Sequence, residues 1–175
     1  MKFRFLVLVS VLLCAVSVQG GTIRHDRSDS LHQNLAALAD YAGVGQFIGK
    51  TSTSSFAASG TLIAPDWILT AAHVVDQATS LTFKVGGNSY TASQWVYHSK
   101  WNGNLAAGYD IALVKLGSIP GIAAATRYSG SDELGALGTS VGFGKTGTGL
   151  TGATTFDGIK RAGHNVCTFG ENSGN

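Results

Sequence analysis

Two residues in this 175-residue chain stand where acid–base chemistry could be built. The first is His73, which ends the string Gly60-Thr61-Leu62-Ile63-Ala64-Pro65-Asp66-Trp67-Ile68-Leu69-Thr70-Ala71-Ala72-His73. An imidazole titrates near neutral pH, so a histidine with a rigidly held ring can take up a proton and return it. Two alanines before it let the backbone turn tightly and pack closely behind the ring. The second is Asp110, which opens the apolar run Asp110-Ile111-Ala112-Leu113-Val114-Lys115-Leu116. A carboxylate at the head of such a run is partly buried and needs a hydrogen-bond donor. An imidazole N–H is a suitable one, and the pairing would fix the ring's tautomer and stabilise its charged form. Taken singly, each residue is more often a satisfied structural group, so the inference needs both.

Strands must carry these two residues. Val44–Ile48 is short and apolar. Gly60–Ala64 and Trp67–Thr70 flank Pro65-Asp66, a turn signal in which proline presets φ. Leu81–Val85 alternates with period two, Gly86-Gly87-Asn88 marks a hairpin, and Tyr90–Tyr97 reads as the returning strand. Ile111–Leu116 is another strand. Val141–Gly144 ends a further one before the Gly/Thr-rich turn Lys145–Gly152, and Thr155–Val166 is expected to be one more. Helical spacing occurs once, over Ser30–Tyr41, where Leu31, Leu35, Leu38 and Tyr41 recur as a short surface arm. Short strands at spacings of about 8–12 residues imply a sandwich or a barrel.

Three motifs in order choose between them. Residues 60–73, residues 110–116 and Val141-Gly142-Phe143-Gly144-Lys145-Thr146-Gly147 together resemble the trypsin-like (chymotrypsin-fold) serine proteases. Their histidine lies in a Gly-Ser/Thr-Leu-Ile … Trp-x-Leu/Val-Thr-Ala-Ala-His pattern, their aspartate in Asp-Ile-Ala-Leu-x-Lys-Leu, and a Gly-Trp-Gly segment opens their second barrel. The resemblance implies an all-β fold of two antiparallel barrels with the site in the cleft between them. It also implies peptide-bond hydrolysis through an acyl-enzyme, with His73 as general base and Asp110 as the carboxylate that orients it. The first barrel is expected over 41–128, complete, and the second over 129–175, incomplete.

The chain departs from that pattern in three places. No Gly-Asp-Ser-Gly-Gly string occurs; the nearest is Gly170-Glu171-Asn172-Ser173-Gly174-Asn175, and Ser173 is not expected to be a nucleophile. A double barrel needs about 200–250 residues, so the expectation is a chain that stops before its serine and is inactive as written. Ala58 and Val74 occupy positions where the family usually has a cysteine pair, so packing is expected to replace that bond. No basic residue precedes Val44-Gly45, so activation by a freshly cut N-terminus is not implied.

Residues 1–20 read as a secretory signal: Lys2 and Arg4, an apolar run from Phe5 to Val16 broken by Ser10, then small residues up to Gly20. Residues 21–40 then form an N-terminal arm. Two of the 12 basic residues belong to the signal, leaving 10 against 10 acidic ones. A neutral chain with no basic run excludes a nucleic-acid partner. The expected product is secreted or periplasmic, monomeric, without a membrane segment once the signal is removed, and acts on protein or peptide. One cysteine, Cys167, remains after the signal, so disulfides cannot staple the fold. His25, His32, His98 and His164 lack metal-ligand spacing, and no metal or cofactor is expected. The alternative reading is a non-catalytic module that binds proteins on a protease scaffold. An unrelated β-sandwich adhesion module would leave the three ordered motifs unexplained.

Overall fold

The computed structural model describes residues 22–168. The expected signal segment lies outside them. Helix α1 (Asp29–Ala36) and a 3₁₀ turn (Ala39–Tyr41) come first. They precede β1 (Val44–Lys50), β2 (Ser55–Ala64), β3 (Trp67–Thr70), the short helix α2 (Ala72–Val75), β4 (Ser80–Val85) and β5 (Asn88–Tyr97). A 3₁₀ turn (Leu105–Ala107), β6 (Ala112–Leu116), β7 (Leu137–Gly142) and β8 (Arg161–Val166) complete the order.

Strands β1 to β6 close into one antiparallel barrel in the order β1-β2-β3-β6-β5-β4, while β7 and β8 form a separate two-stranded sheet. The expected first barrel is therefore closed, and the second sheet is partial.

Alternation explains the barrel's interior. Leu81, Phe83 and Val85 of β4 point inward, as do Ala112, Val114 and Leu116 of β6, two residues apart each time. Phe47, Leu62 and Ile68 join them, all fully buried. Phe47 and Phe83 meet with ring centroids 4.9 Å apart at a tilt of 50°, within the range of favourable aromatic contact. Gly60 is required here: a Cβ on it would lie 2.6 Å from the Phe47 ring and 2.7 Å from Ile68.

Turn chemistry sets the registers. Val85 pairs with Asn88 across Gly86-Gly87, whose φ values are 57° and 80°, the doubly left-handed turn that a tight hairpin needs. Ala64 pairs with Trp67 across Pro65-Asp66. The Asp66 carboxylate faces Lys115 at 3.8 Å.

Two expectations change. The strand expected over Thr155–Val166 begins only at Arg161. Asp157 accepts the Ile159 N–H at 3.0 Å and Gly158 has φ 69°, so the chain bends before the sheet starts. The helical stretch is also shorter than expected and is no free arm. Leu31 and Leu38 are each 52% exposed, whereas Ala36 is buried. Ser28 caps α1 by accepting the Ser30 N–H. The helix docks on β8 through polar groups instead: His32 Nδ1 lies 2.9 Å from the Ala162 carbonyl, and Asp29 grips Arg161.

Candidate active site

The site is built at the end of β3. Thr70 closes the strand by donating its hydroxyl to the Ser59 carbonyl at 2.9 Å. Ala71 is extended, and the chain turns at once into α2. Ala72 is buried, and Val74 and Val75 belong to the barrel core, which fixes the short helix by its apolar side. His73, between them, faces outward with its side chain 48% exposed. Small, buried neighbours thus hold the ring's base while its edge reaches solvent, as the alanine pair implied.

Asp110 meets this helix from β6's side. Its Oδ1 accepts the His73 backbone N–H at 2.8 Å, and its Oδ2 lies 2.7 Å from His73 Nδ1. Burial pushes the Asp110 carboxyl up. Hydrogen bonds from the His73 backbone and ring and from the Ala72 backbone outweigh it, so the group stays below the ordinary carboxylate range. An ionised carboxylate only accepts, so His73 Nδ1 carries the proton. Nε2 of the neutral ring is then a bare acceptor turned away from the carboxylate, the arrangement a general base requires. The fold brings His73 and Asp110 together from 37 residues apart in sequence.

The closed barrel and the partial second sheet agree with the relatives of this chain. The sequence model of the family described as Trypsin matches residues 39–160, more than half of the chain. The chain belongs to the trypsin family. Similar relatives include chymotrypsin-like elastase family member 1 of Felis catus and of Homo sapiens. Each is 43% identical over 70 residues, a match covering 33% of this chain and 26% of the relative. Proproteinase E of Bos taurus is 40% identical over 72 residues, covering 33% of this chain and 28% of that protein. The chain thus spans about a quarter of the length of these curated relatives. Among solved structures, HL collagenase aligns with a TM-score of 0.61 at 23% identity, covering 74% of this chain and 60% of that one. The thermostable serine protease AL20 of an extremophilic microorganism aligns with a TM-score of 0.61 at 18% identity, covering 77% and 69%. At these identities the structural likeness speaks for the fold.

In this trypsin-family chain the two positions that usually carry a cysteine pair are both apolar and packed. Val74 belongs to the barrel core and Ala58 packs against it. Ser173 lies outside the described residues. The remaining histidines are scattered. His32 faces Ala162, His98 stacks on Tyr109, His164 bonds the Thr139 hydroxyl at 2.9 Å, and His25 is exposed. No group of three metal-ligating side chains forms among the described residues. A cavity of about 700 Å³ opens between Ile23, His32 and the β7–β8 sheet, and His73 does not line it.

Two contacts near the site have no signal in the sequence. The Ser59 hydroxyl accepts the Phe143 N–H at 2.8 Å, which joins β2 of the barrel to the end of β7. The Trp101 indole N–H donates to Asp76 Oδ2 at 3.2 Å, which ties the loop before Asp110 to the C-terminal end of α2. Ser59 immediately precedes the histidine string, but nothing local marks its partner 84 residues on.

Proposed function

We propose that the chain carries the proton-handling half of a serine endopeptidase. His73 takes the proton from a serine hydroxyl as its oxygen attacks a peptide carbonyl, then gives it to the leaving amine. The C–N bond breaks and leaves an acyl-enzyme, which water hydrolyses with His73 as base again. Asp110 holds the ring in the tautomer that this needs and stabilises the imidazolium between steps. The observation that supports this is the 2.7 Å Nδ1–carboxylate bond, which leaves Nε2 free on a half-exposed edge.

The 175 residues contain no Gly-Asp-Ser-Gly-Gly string, so the nucleophile of this proposal is a serine beyond Asn175, and Ser173 is not it. The substrate is a protein or peptide, and the protein works as a secreted or periplasmic monomer. None of the helices among the described residues is long and apolar enough to cross a membrane.

The test begins with the DNA that follows codon 175, read in every frame for Gly-Asp-Ser-Gly-Gly. The chain extended through that motif should hydrolyse peptide esters and amides. His73→Ala should lower kcat by about 10⁴–10⁶-fold and Asp110→Asn by about 10⁴-fold. The 175-residue chain alone should hydrolyse them barely or not at all. Absence of the motif downstream would overturn the proposal. So would an extended chain whose activity survives His73→Ala, or activity of the 175-residue chain lost on Ser173→Ala.

A further inference from the structure

The approach of the chain to Asp110 is unusual. Gly108 and Tyr109 both have positive φ, 74° and 62°. Glycine adopts that region freely, but a bulky residue there is uncommon and strained. The consequence falls on the next residue. Ile111 N–H donates to the Tyr109 carbonyl at 2.8 Å, closing a three-residue turn with Asp110 at its centre. The backbone angle at residue 109 therefore sets the direction in which the Asp110 carboxylate leaves the chain, and that direction is toward the N-terminal end of α2.

The Tyr109 ring is held from outside. It stacks on His98 with centroids 4.9 Å apart and planes 20° from parallel, and Lys100 Nζ lies 5.2 Å from its centre. His98 is itself fixed to backbone. Its N–H donates to the Ile111 carbonyl at 3.0 Å, and its Nδ1 accepts the Lys100 N–H at 3.1 Å. A bare Nδ1 requires the neutral, Nε2-protonated ring. Trp101 continues the same segment: its N–H donates to the His98 carbonyl at 2.9 Å and its indole reaches Asp76. One loop thus grips α2 at both ends, by Asp110 at the first turn and by Trp101 at Asp76, the residue that caps its C-terminus.

We propose that Tyr109 is a positioning residue: its ring, clamped on His98, holds residue 109 in the left-handed conformation that aims Asp110 at His73 Nδ1. The proposal rests on the reading of His73 as general base, because it concerns the tautomer that base uses. The Tyr109 ring packs on His98 and acts through Asp110.

The test reads the tautomer and needs no hydrolysis. Long-range proton–nitrogen spectra of the full chain, recorded at alkaline pH where the imidazole is neutral, give the ratio of Nδ1–H to Nε2–H forms at His73. Tyr109→Leu should lower that ratio about tenfold, the factor that corresponds to the strain of one left-handed residue no longer held in place. Tyr109→Phe keeps the ring and should leave the ratio at the wild-type value. His98→Ala leaves Tyr109 untouched and should lower the ratio in the same direction, whereas His98→Phe restores a stacking partner and should recover it. If Tyr109→Leu does not fold, the His98 pair carries the test alone. A wild-type ratio in His98→Ala, or a loss in Tyr109→Phe as large as in Tyr109→Leu, would overturn the proposal. An unchanged tautomer would leave the endopeptidase reading standing. A shifted tautomer in a protein whose extended form shows no His73-dependent hydrolysis would sink that reading alone.

Discussion

Replacing Arg161 with methionine would leave two aspartates facing each other with no cation between them. Every N–H of this guanidinium is used. Nε and Nη2 donate to Asp29 at 2.6 and 2.7 Å. Nη1 and Nη2 donate to Asp157 at 2.8 and 2.7 Å, and Nη1 also reaches the Ile159 carbonyl at 3.3 Å. The Arg161 side chain is only 13% exposed, while Asp29 and Asp157 are 37% and 29% exposed. Removing one partner of a fully buried pair costs about 3–5 kcal/mol. Water regained by the two part-exposed carboxylates cuts that to about 2 kcal/mol. The loss is local, because Asp29 belongs to α1 and nothing in the closed barrel depends on it. Amide hydrogen exchange in the helix should therefore speed up by about thirtyfold, the factor for about 2 kcal/mol. Amides of β4 and β6 should keep their wild-type rates. Exchange in α1 within threefold of wild type would refute the idea that this ion cluster holds the helix on β8. Equal acceleration in the barrel strands would refute its locality.

The same cluster predicts acid sensitivity. Hydrogen bonds from Arg161, then from the Ile159 backbone, lower the Asp157 carboxyl from 3.8 to about 2, and Arg161 lowers Asp29 in the same direction. A depressed folded-state value means that the contribution is complete above the unfolded value near 4 and fades as pH falls toward about 2. Screening at these part-exposed groups holds it to about 1 kcal/mol. Wild type should lose about that much more stability than Asp157→Asn between pH 4 and pH 2 in urea titrations, and parallel curves would contradict it. In the barrel, Gly60→Ala should cost about 1–3 kcal/mol and lower Tm by about 5 °C, since its Cβ meets Phe47 and Ile68 below 3 Å. Gly149→Ala, which meets nothing within 4 Å, should leave Tm unchanged; equal shifts in calorimetry would rule out the packing argument.

Much of the barrel could be read from residue patterns because each strand carries its own signal. Leu81, Phe83 and Val85 alternate without interruption, and Gly86-Gly87 can hardly be anything but a turn. His73 and Asp110 were legible for a related reason: each sits in a local string that fixes its own backbone. Their meeting was legible only through the order of the motifs, since no local signal spans 37 residues. The docking of α1 was not legible because leucines at helical spacing imply only a short surface arm, whereas Asp29 and His32 find partners more than a hundred residues away on β8. The late start of β8 was misread because Thr155–Lys160 looks strand-like until Asp157 turns its side chain onto the backbone. Tyr109's conformation leaves no trace in composition at all; only the glycine before it hints at a sharp bend.

The partners of α1 lie 130 and 132 residues further along the chain, at Ala162 and Arg161. All six barrel strands fall between them, within 44–116. A ribosome adding about 5–20 residues per second finishes the barrel's strands several seconds before it reaches Arg161. Through that interval the barrel can close by its own shorter-range pairings, while Asp29 and His32 wait for their partners on β8. Docking of the N-terminal helix is thus timed by synthesis: it reports that the chain has grown as far as Arg161 and Ala162, where β8 begins.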